Sequence, residues 1–176
     1  MSTLVTPIEE AIDREAIRDC LHHLSRAVDR RDFELLAKCY WPDAREEHGA
    51  FNGAVSDFFV WLDVRTRDWD RTMFSLSQII IDLDGDVAAV ETYFNGYRKR
   101  PKPQGGWFDE FVSGRYVDKM TKRQGQWRIQ QRVVVFEWFR QLPDSADFAG
   151  SPFGDAKRGA RKPHDPLYAL LNGLAD

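Results

Sequence analysis

The chain has 176 residues and a mass of 20.4 kDa, and 43% of it is hydrophobic, with 12 Phe, 6 Trp and 5 Tyr; that is one domain, with or without a tail, and leaves little room for a separate cofactor domain. Its 25 basic and 28 acidic residues give a net charge of −3 and a pI of about 5.8, so nothing in the balance favours binding to nucleic acid or to an anionic membrane. No apolar run nears the ~20 residues of a membrane span, and the N-terminal MSTLVTPIEEAIDRE is acidic where a signal peptide is cationic, which predicts a cytoplasmic protein.

Residues 12–30 read as an amphipathic helix, because Ile17, Cys20, Leu21, Leu24 and Val28 recur at i, i+3, i+4 and i+7. Thr6-Pro7 ahead of Glu9 and Glu10 resembles a helix start. A second helix is predicted over 32–40, capped by Asp32 and ended by Pro42. Residues 44–51 read as an extended or loop segment, and 56–69 as a third helix carrying Phe58, Phe59, Trp61, Leu62 and Val64.

From residue 71 the period changes. Residues 71–83, 87–98, 108–122 and 126–140 are β-branched and aromatic runs, with turns expected at Asp84-Gly85 and Gln124-Gly125. Helices followed by a meander predict an α+β fold. The Arg98-Lys99-Arg100 run is expected at the solvated end of a hairpin. Residues 141–176, with Pro143, Pro152, Pro163 and Pro166 beside Gly150, Gly154 and Gly159, form a tail or lid after a domain spanning 1–140, with one short helix over 166–174. Cys20 and Cys39 lack metal-ligand or C-x-x-C spacing and are expected as core thiols.

Four stretches carry a family resemblance: DREAIRDCLHHLSRAVDRRDFELLAKCYWPDA (13–44), HGAFNG (48–53), IIIDLDGDVAAVETYF (79–94) and SGRYVDKMTKRQGQWRIQQRVVVFEW (113–138). Together they resemble the SnoaL-like, scytalone-dehydratase-like branch of the nuclear-transport-factor-2-like superfamily. The resemblance implies a cystatin-like cone, in which helices pack on a strongly curved, mainly antiparallel sheet around a pocket. It also implies dehydratase, dehydrochlorinase, isomerase or cyclase chemistry with no metal or organic cofactor. Other members of the family bind ligands only, or serve as small subunits of aromatic-ring dioxygenases.

Asp29 matches the carboxylate with which the dehydratase and dehydrochlorinase groups orient a catalytic His. That His is expected early in the first long strand, in a pattern like T-M-H-x-L-x-N, where this chain reads Thr72-Met73-Phe74-Ser75-Leu76-Ser77-Gln78. Phe74 therefore stands in the His position. On residue types alone Asp29 also reads as a helix-end carboxylate paired with Arg26 or Arg30.

Four His remain as proton partners. A helical wheel puts His22 within about 20° of Asp29, two turns away, while His23 points elsewhere. His48 lies in a loop flanked by Gly49 and Gly53, and His164 lies in the tail. No pair of histidines has metal-ligand spacing with a carboxylate. On the last strand the face of Trp127, Ile129, Gln131, Val133 and Val135 is the more apolar and predicts the pocket wall, which would turn Gln131 inward. Arg115 reads as a partner either for a substrate anion or for an outward ion pair. Tyr40, Trp41, Trp61, Phe74, Tyr93, Tyr97 and Trp107 suggest a pocket for aromatic rings, or simply core filling.

The sequence thus predicts a cofactor-independent lyase or isomerase for a small hydrophobic, aromatic molecule, with Asp29, His22 and His48 as catalytic candidates. Its substrate-binding candidates are Tyr40, Trp41, Phe74, Tyr93, Tyr97, Arg115 and Gln131. No nucleic acid or membrane partner is expected, and a homodimer or homotrimer is. The alternative is a non-catalytic binding module or a dioxygenase small subunit.

Overall fold

Thr6 sets the start of the first helix, α1 (Pro7–Arg30). Its hydroxyl accepts the Glu9 N–H at 3.2 Å while its own N–H donates to the Glu9 carboxylate at 2.8 Å, a reciprocal cap. The helix accordingly begins five residues before the first apolar repeat expected at 12. Arg31, at φ 51°, ends it in the left-handed region. The computed structural model describes residues 6–146, 150 and 153–174; residues 1–5, read above as unlike a signal peptide, and Pro152 of the tail lie outside them.

The second helix, α2 (Phe33–Lys38), is capped by Asp32, whose carboxylate accepts the Leu35 N–H at 3.1 Å. It stops before Tyr40, and the stretch expected as a helix end followed by an extended or loop segment is a strand, β1 (Tyr40–His48). Pairing supplies the reason: Tyr40 lies beside Ile129, and Arg45, Glu46 and Glu47 beside Gln131, Arg132 and Val133, in a parallel ladder. Gly49, at φ 61°, turns the chain into β2 (Phe51–Ala54), which pairs back on β1. Helix α3 (Val55–Thr66) follows.

Strands β3 (Arg71–Asp84), β4 (Val87–Pro101), β5 (Trp107–Arg123) and β6 (Gln126–Pro143) form the expected antiparallel meander. The Gly85 and Gln124-Gly125 turns adopt the positive φ values that tight hairpins require. The sheet order is β2-β1-β6-β5-β4-β3. Together with the helices before it, this is the predicted α+β cone.

Curvature comes from bulges and glycines. An extra residue, Gln130, interrupts the β5–β6 ladder between Lys119↔Gln131 and Met120↔Ile129, and Glu137 does the same nearer the strand end. A Cβ on Gly96 would sit 2.5 Å from the Phe74 ring, and one on Gly114 would sit 2.2 Å from the Val135 carbonyl oxygen. Only glycine permits these close approaches.

The concave face holds the core. Ile17, Leu21 and Leu24 of α1 bury against the sheet with Ile81, Val90, Met120 and Ile129. Cys39 is buried there, and the Cys20 thiol lies 3.5 Å from the Cys39 carbonyl oxygen, both sulfurs free. No helix among the described residues is long and apolar enough to cross a membrane.

The tail returns to the helices, where α4 (Pro166–Gly173) is capped by Asp165. Arg161 donates to the carbonyls of Thr66, Arg67 and Trp69 at and just after the end of α3. Lys162 pairs with Asp32 and Glu34, Tyr168 donates to Asp32 at 3.1 Å, and Asp165 pairs with Arg30 at 3.1 Å.

Candidate functional site

Inside the cone, α1, α3 and the sheet enclose a cavity of about 60 Å³. Leu24, Val28, Trp61, Leu62, Phe74, Phe94 and Phe136 give it an apolar wall, into which Tyr40, Glu46, His48, Tyr116 and Arg132 bring polar atoms. The space is well under the ~150 Å³ of an engineered cavity that takes up benzene. An aromatic guest therefore requires wall side chains to move.

Glu46 and His48 stand two apart on β1, so strand alternation sends both side chains to the same face. His48 Nδ1 lies 3.2 Å from Glu46 Oε1, and the Tyr40 hydroxyl donates to Glu46 Oε2 at 3.0 Å. Glu46 is 1% exposed. The imidazole stacks on Phe58 at 5.6 Å and touches Trp61 and Phe136, each at 5.7 Å between centroids. A histidine oriented by a buried carboxylate among rings is equipped to accept or deliver a proton.

Beneath this pair lies a fully enclosed ion pair, with Arg132 donating to both Asp118 oxygens at 2.7 and 2.6 Å. Burial pushes the Asp118 carboxyl up and Arg132 opposes it. Burial likewise disfavours the Arg132 cation, but Asp118, Tyr40 and Glu46 together outweigh it and hold the guanidinium charged, and the two-pronged geometry is that of an ionised pair. The guanidinium rests 4.0 Å over the Tyr116 ring. Burial raises the Tyr116 phenol above its ordinary value, so it remains a neutral O–H at the cavity wall.

Asp29 sits at the edge of this arrangement. Both of its oxygens accept the Phe74 N–H at 3.1 Å, while the Phe74 side chain faces the cavity. Asp29 lines two outer grooves instead, one shared with His22 and Ser25 and one with Tyr97 and Arg161. Burial raises its carboxyl to about 6, against the lowering effects of the Phe74 N–H, Arg30 and Thr72. His22 is exposed, as are His23 and His164. The wheel correctly brings His22 and Asp29 to one groove, but that groove is open and lies outside the cavity.

Several other expectations need correction. Gln131 is exposed, because the bulge at Gln130 switches the inward face of β6 from Trp127 and Ile129 to Arg132 and Val134. Arg115 turns outward to Glu91 at 2.6 Å and Glu137 at 2.8 Å. Tyr93 is on the same outer side, opposite in phase to buried Thr92 and Phe94. Trp41 is buried away from the cavity, its indole N–H donating to the Thr121 carbonyl at 3.0 Å. Tyr97 donates to Asp109 at 2.7 Å and borders an outer groove rather than the cavity. Tyr40 and Phe74 do line the cavity. The Arg98-Lys99-Arg100 run is not simply solvated, since Arg98 reaches the cavity wall and all three cations are ion-paired.

Sequence reasoning missed Glu46, Tyr116, Asp118 and Arg132. For Glu46 the signal was the E-x-H alternation, which follows from the extended rather than the loop alternative for residues 44–51. Among the described residues no three His, Cys, Asp or Glu side chains are grouped to hold a metal ion.

Comparison with known proteins agrees with this architecture. The uncharacterized protein Rv2910c of Mycobacterium tuberculosis is 26% identical over 135 residues, spanning 72% of this chain and 86% of the relative. Hexachlorocyclohexane dehydrochlorinase LinA-type3 of Novosphingobium barchaimii superposes with a TM-score of 0.68 at 16% identity, over 81% of this chain and 100% of that one. A Novosphingobium aromaticivorans protein described as a candidate scytalone dehydratase superposes with a TM-score of 0.67 at 21% identity, over 84% and 97% of the two chains. At such identities these structures speak for the fold. Residues 9–133 match the model of the SnoaL-like domain, and the chain belongs to that family.

Proposed function

We propose that this chain is a lyase or isomerase that needs no cofactor and acts by acid/base catalysis on a small aromatic molecule held in the interior cavity. The observation that carries the reading is the 3.2 Å contact of His48 with buried Glu46 inside an aromatic wall. With Nδ1–H donated to Glu46, the Nε2 lone pair of His48 is free to take a proton from substrate carbon or hydroxyl. Tyr40 fixes Glu46, and the Tyr116 hydroxyl and Arg132 stand where developing oxyanion charge can be stabilised.

Two outcomes follow from the same first step. If a C–H proton is taken, its electron pair forms a double bond, and a departing hydroxide reclaims the proton as water. If an O–H proton is taken, the oxygen closes to a carbonyl, a C–C bond breaks, and a small aldehyde such as formaldehyde leaves while the carbanion is protonated. Both are redox-neutral. Asp29, its carboxyl raised by burial to about 6, is the second candidate for the proton-transfer group, for a substrate held in the outer grooves that it lines rather than in the cavity.

The test is a screen of aromatic alcohols and diols for loss of water or formaldehyde by mass spectrometry, without added metal. Turnover that disappears in His48→Gln and survives in Asp29→Asn supports the assignment, and turnover indifferent to His48→Gln refutes it. A chain that binds such molecules without converting any would favour the non-catalytic reading, which draws on Phe74 standing in place of a His.

A further inference from the structure

Three guanidinium groups, Arg65, Arg98 and Arg132, line the cavity against one carboxylate, Glu46, although the chain as a whole is acidic at −3. Arg132 is matched by Asp118. The other two cations are not matched in this way. Arg98 reaches Glu110 at 2.5 Å, but the same carboxylate also takes Arg100 at 2.9 Å and Gln141 at 2.7 Å, so one anion serves two cations. The Nε of Arg98 is buried with no acceptor among the described residues. Arg65 makes no ion pair among the described residues and lies 5.2 Å over the Trp61 ring.

A buried N–H left without an acceptor has lost its water and gained no partner, which favours a ligand that supplies one. Arg98, whose side chain is largely buried, attracts an anion more strongly than it would in water, and exposed Arg65 adds a second positive charge to the lining. The Trp61 ring is 5.7 Å from the His48 imidazole and 5.2 Å from the Arg65 guanidinium. Arg65 and the proton-transfer group thus border the same Trp61 side chain, in the same cavity lining as Arg98.

We infer that Arg65 and Arg98 form an anion-recognition subsite, and that the natural substrate is an aromatic carboxylate whose acid group docks there while its reactive side chain reaches His48. The inference rests on the interior cavity being the substrate site. It concerns binding, which can be measured without any turnover.

Cinnamate and its neutral isostere cinnamide are suitable probes, titrated calorimetrically into the full chain at fixed ionic strength. Cinnamate is expected to bind at least ~10-fold more tightly than cinnamide, the worth of about one charge-assisted hydrogen bond. Arg65→Gln, at an exposed position that leaves the Glu110 cluster intact, and Arg98→Gln should each remove most of that preference. His48→Gln should keep it while abolishing turnover, which separates failure of the subsite from failure of the catalytic assignment. Equal affinity for the two probes, no saturable binding of either, or a preference unchanged in both arginine variants overturns the inference.

Discussion

His48 and Glu46 meet at 3.2 Å on one face of one strand, β1, with Glu46 secured from its other oxygen by Tyr40. The two residues are close in sequence, but it is the pairing of β1 with β6 that makes the segment a strand and puts both side chains on one face, with an oriented imidazole on an aromatic wall. Under the proposed chemistry His48→Gln lowers kcat by ~10²-fold or more, and Glu46→Gln by ~10-fold or more, because the ring then loses its fixed tautomer and orientation. Steady-state rates on the substrate found by the screen check this, with far-UV circular dichroism reporting on the fold.

The Arg132–Asp118 pair is a liability if broken. Removing one member leaves a buried charge uncompensated, so Asp118→Ala is expected to cost about 3–5 kcal/mol. That is ~6–20 °C in Tm at ~2–4 °C per kcal/mol for a chain of this size. Replacing both partners with apolar side chains of similar volume, as in Asp118→Leu with Arg132→Met, should recover much of the loss. Calorimetric melting of the two variants gives the comparison.

Asp29 sets a pH dependence of stability. Its folded carboxyl sits at about 6, above the ~3.9 of an unfolded aspartate, so the folded state binds the proton more tightly. Its stabilising contribution is present below about pH 4 and is lost as the pH rises through about 6. Asp29→Asn carries no such charge and should match the parent near pH 4 and exceed it at pH 8, by about 2 kcal/mol. Urea denaturation across that range would show the gap opening, and a gap that narrows with pH would contradict the assignment.

Three residues on, Asp32 has the opposite sign. Burial raises its carboxyl, but the Leu35 N–H, Lys162 and Tyr168 together outweigh burial and hold it below its ordinary value. Its contribution is present above about pH 4 and fades as the pH falls. Asp32→Ala removes the α2 cap and two tail contacts at once, a loss of about 2–3 kcal/mol. Tyr168→Phe should lose only about 1 kcal/mol. Protease nicking of the tail in each variant would report whether its anchoring follows the same order.

Much of the fold was legible in the residues. The α1 stripe, the Asp32 cap and the meander with its two Gly turns each rest on local periodicity or local turn chemistry, and each stands where expected. What local pattern could not show was pairing. Residues 40–48 are acidic and contain Pro42, yet they lie in the sheet because β6 offers a parallel partner. Leaving 44–51 open between extended and loop, with His48 placed in a loop, hid Glu46, the residue that makes His48 half of a pair. The Asp29–His22 expectation went astray for a different reason, since a wheel gives direction around an axis and says nothing of what β3 interposes, here the Phe74 ring. The tail's anchors, Arg161 and Lys162, bond carbonyls and carboxylates distant in sequence, and no short-range signal marks them.

The extra residue at Gln130 also bears on how this strand tolerates length changes. In an ordinary strand, losing one residue inverts every side chain beyond the cut. Here Ile129 points inward, Gln131 outward and Arg132 inward, so excising Gln130 joins two stretches already in phase. The chamber would keep its lining and lose its bend, becoming a straighter-walled vessel built from the same rings and charges.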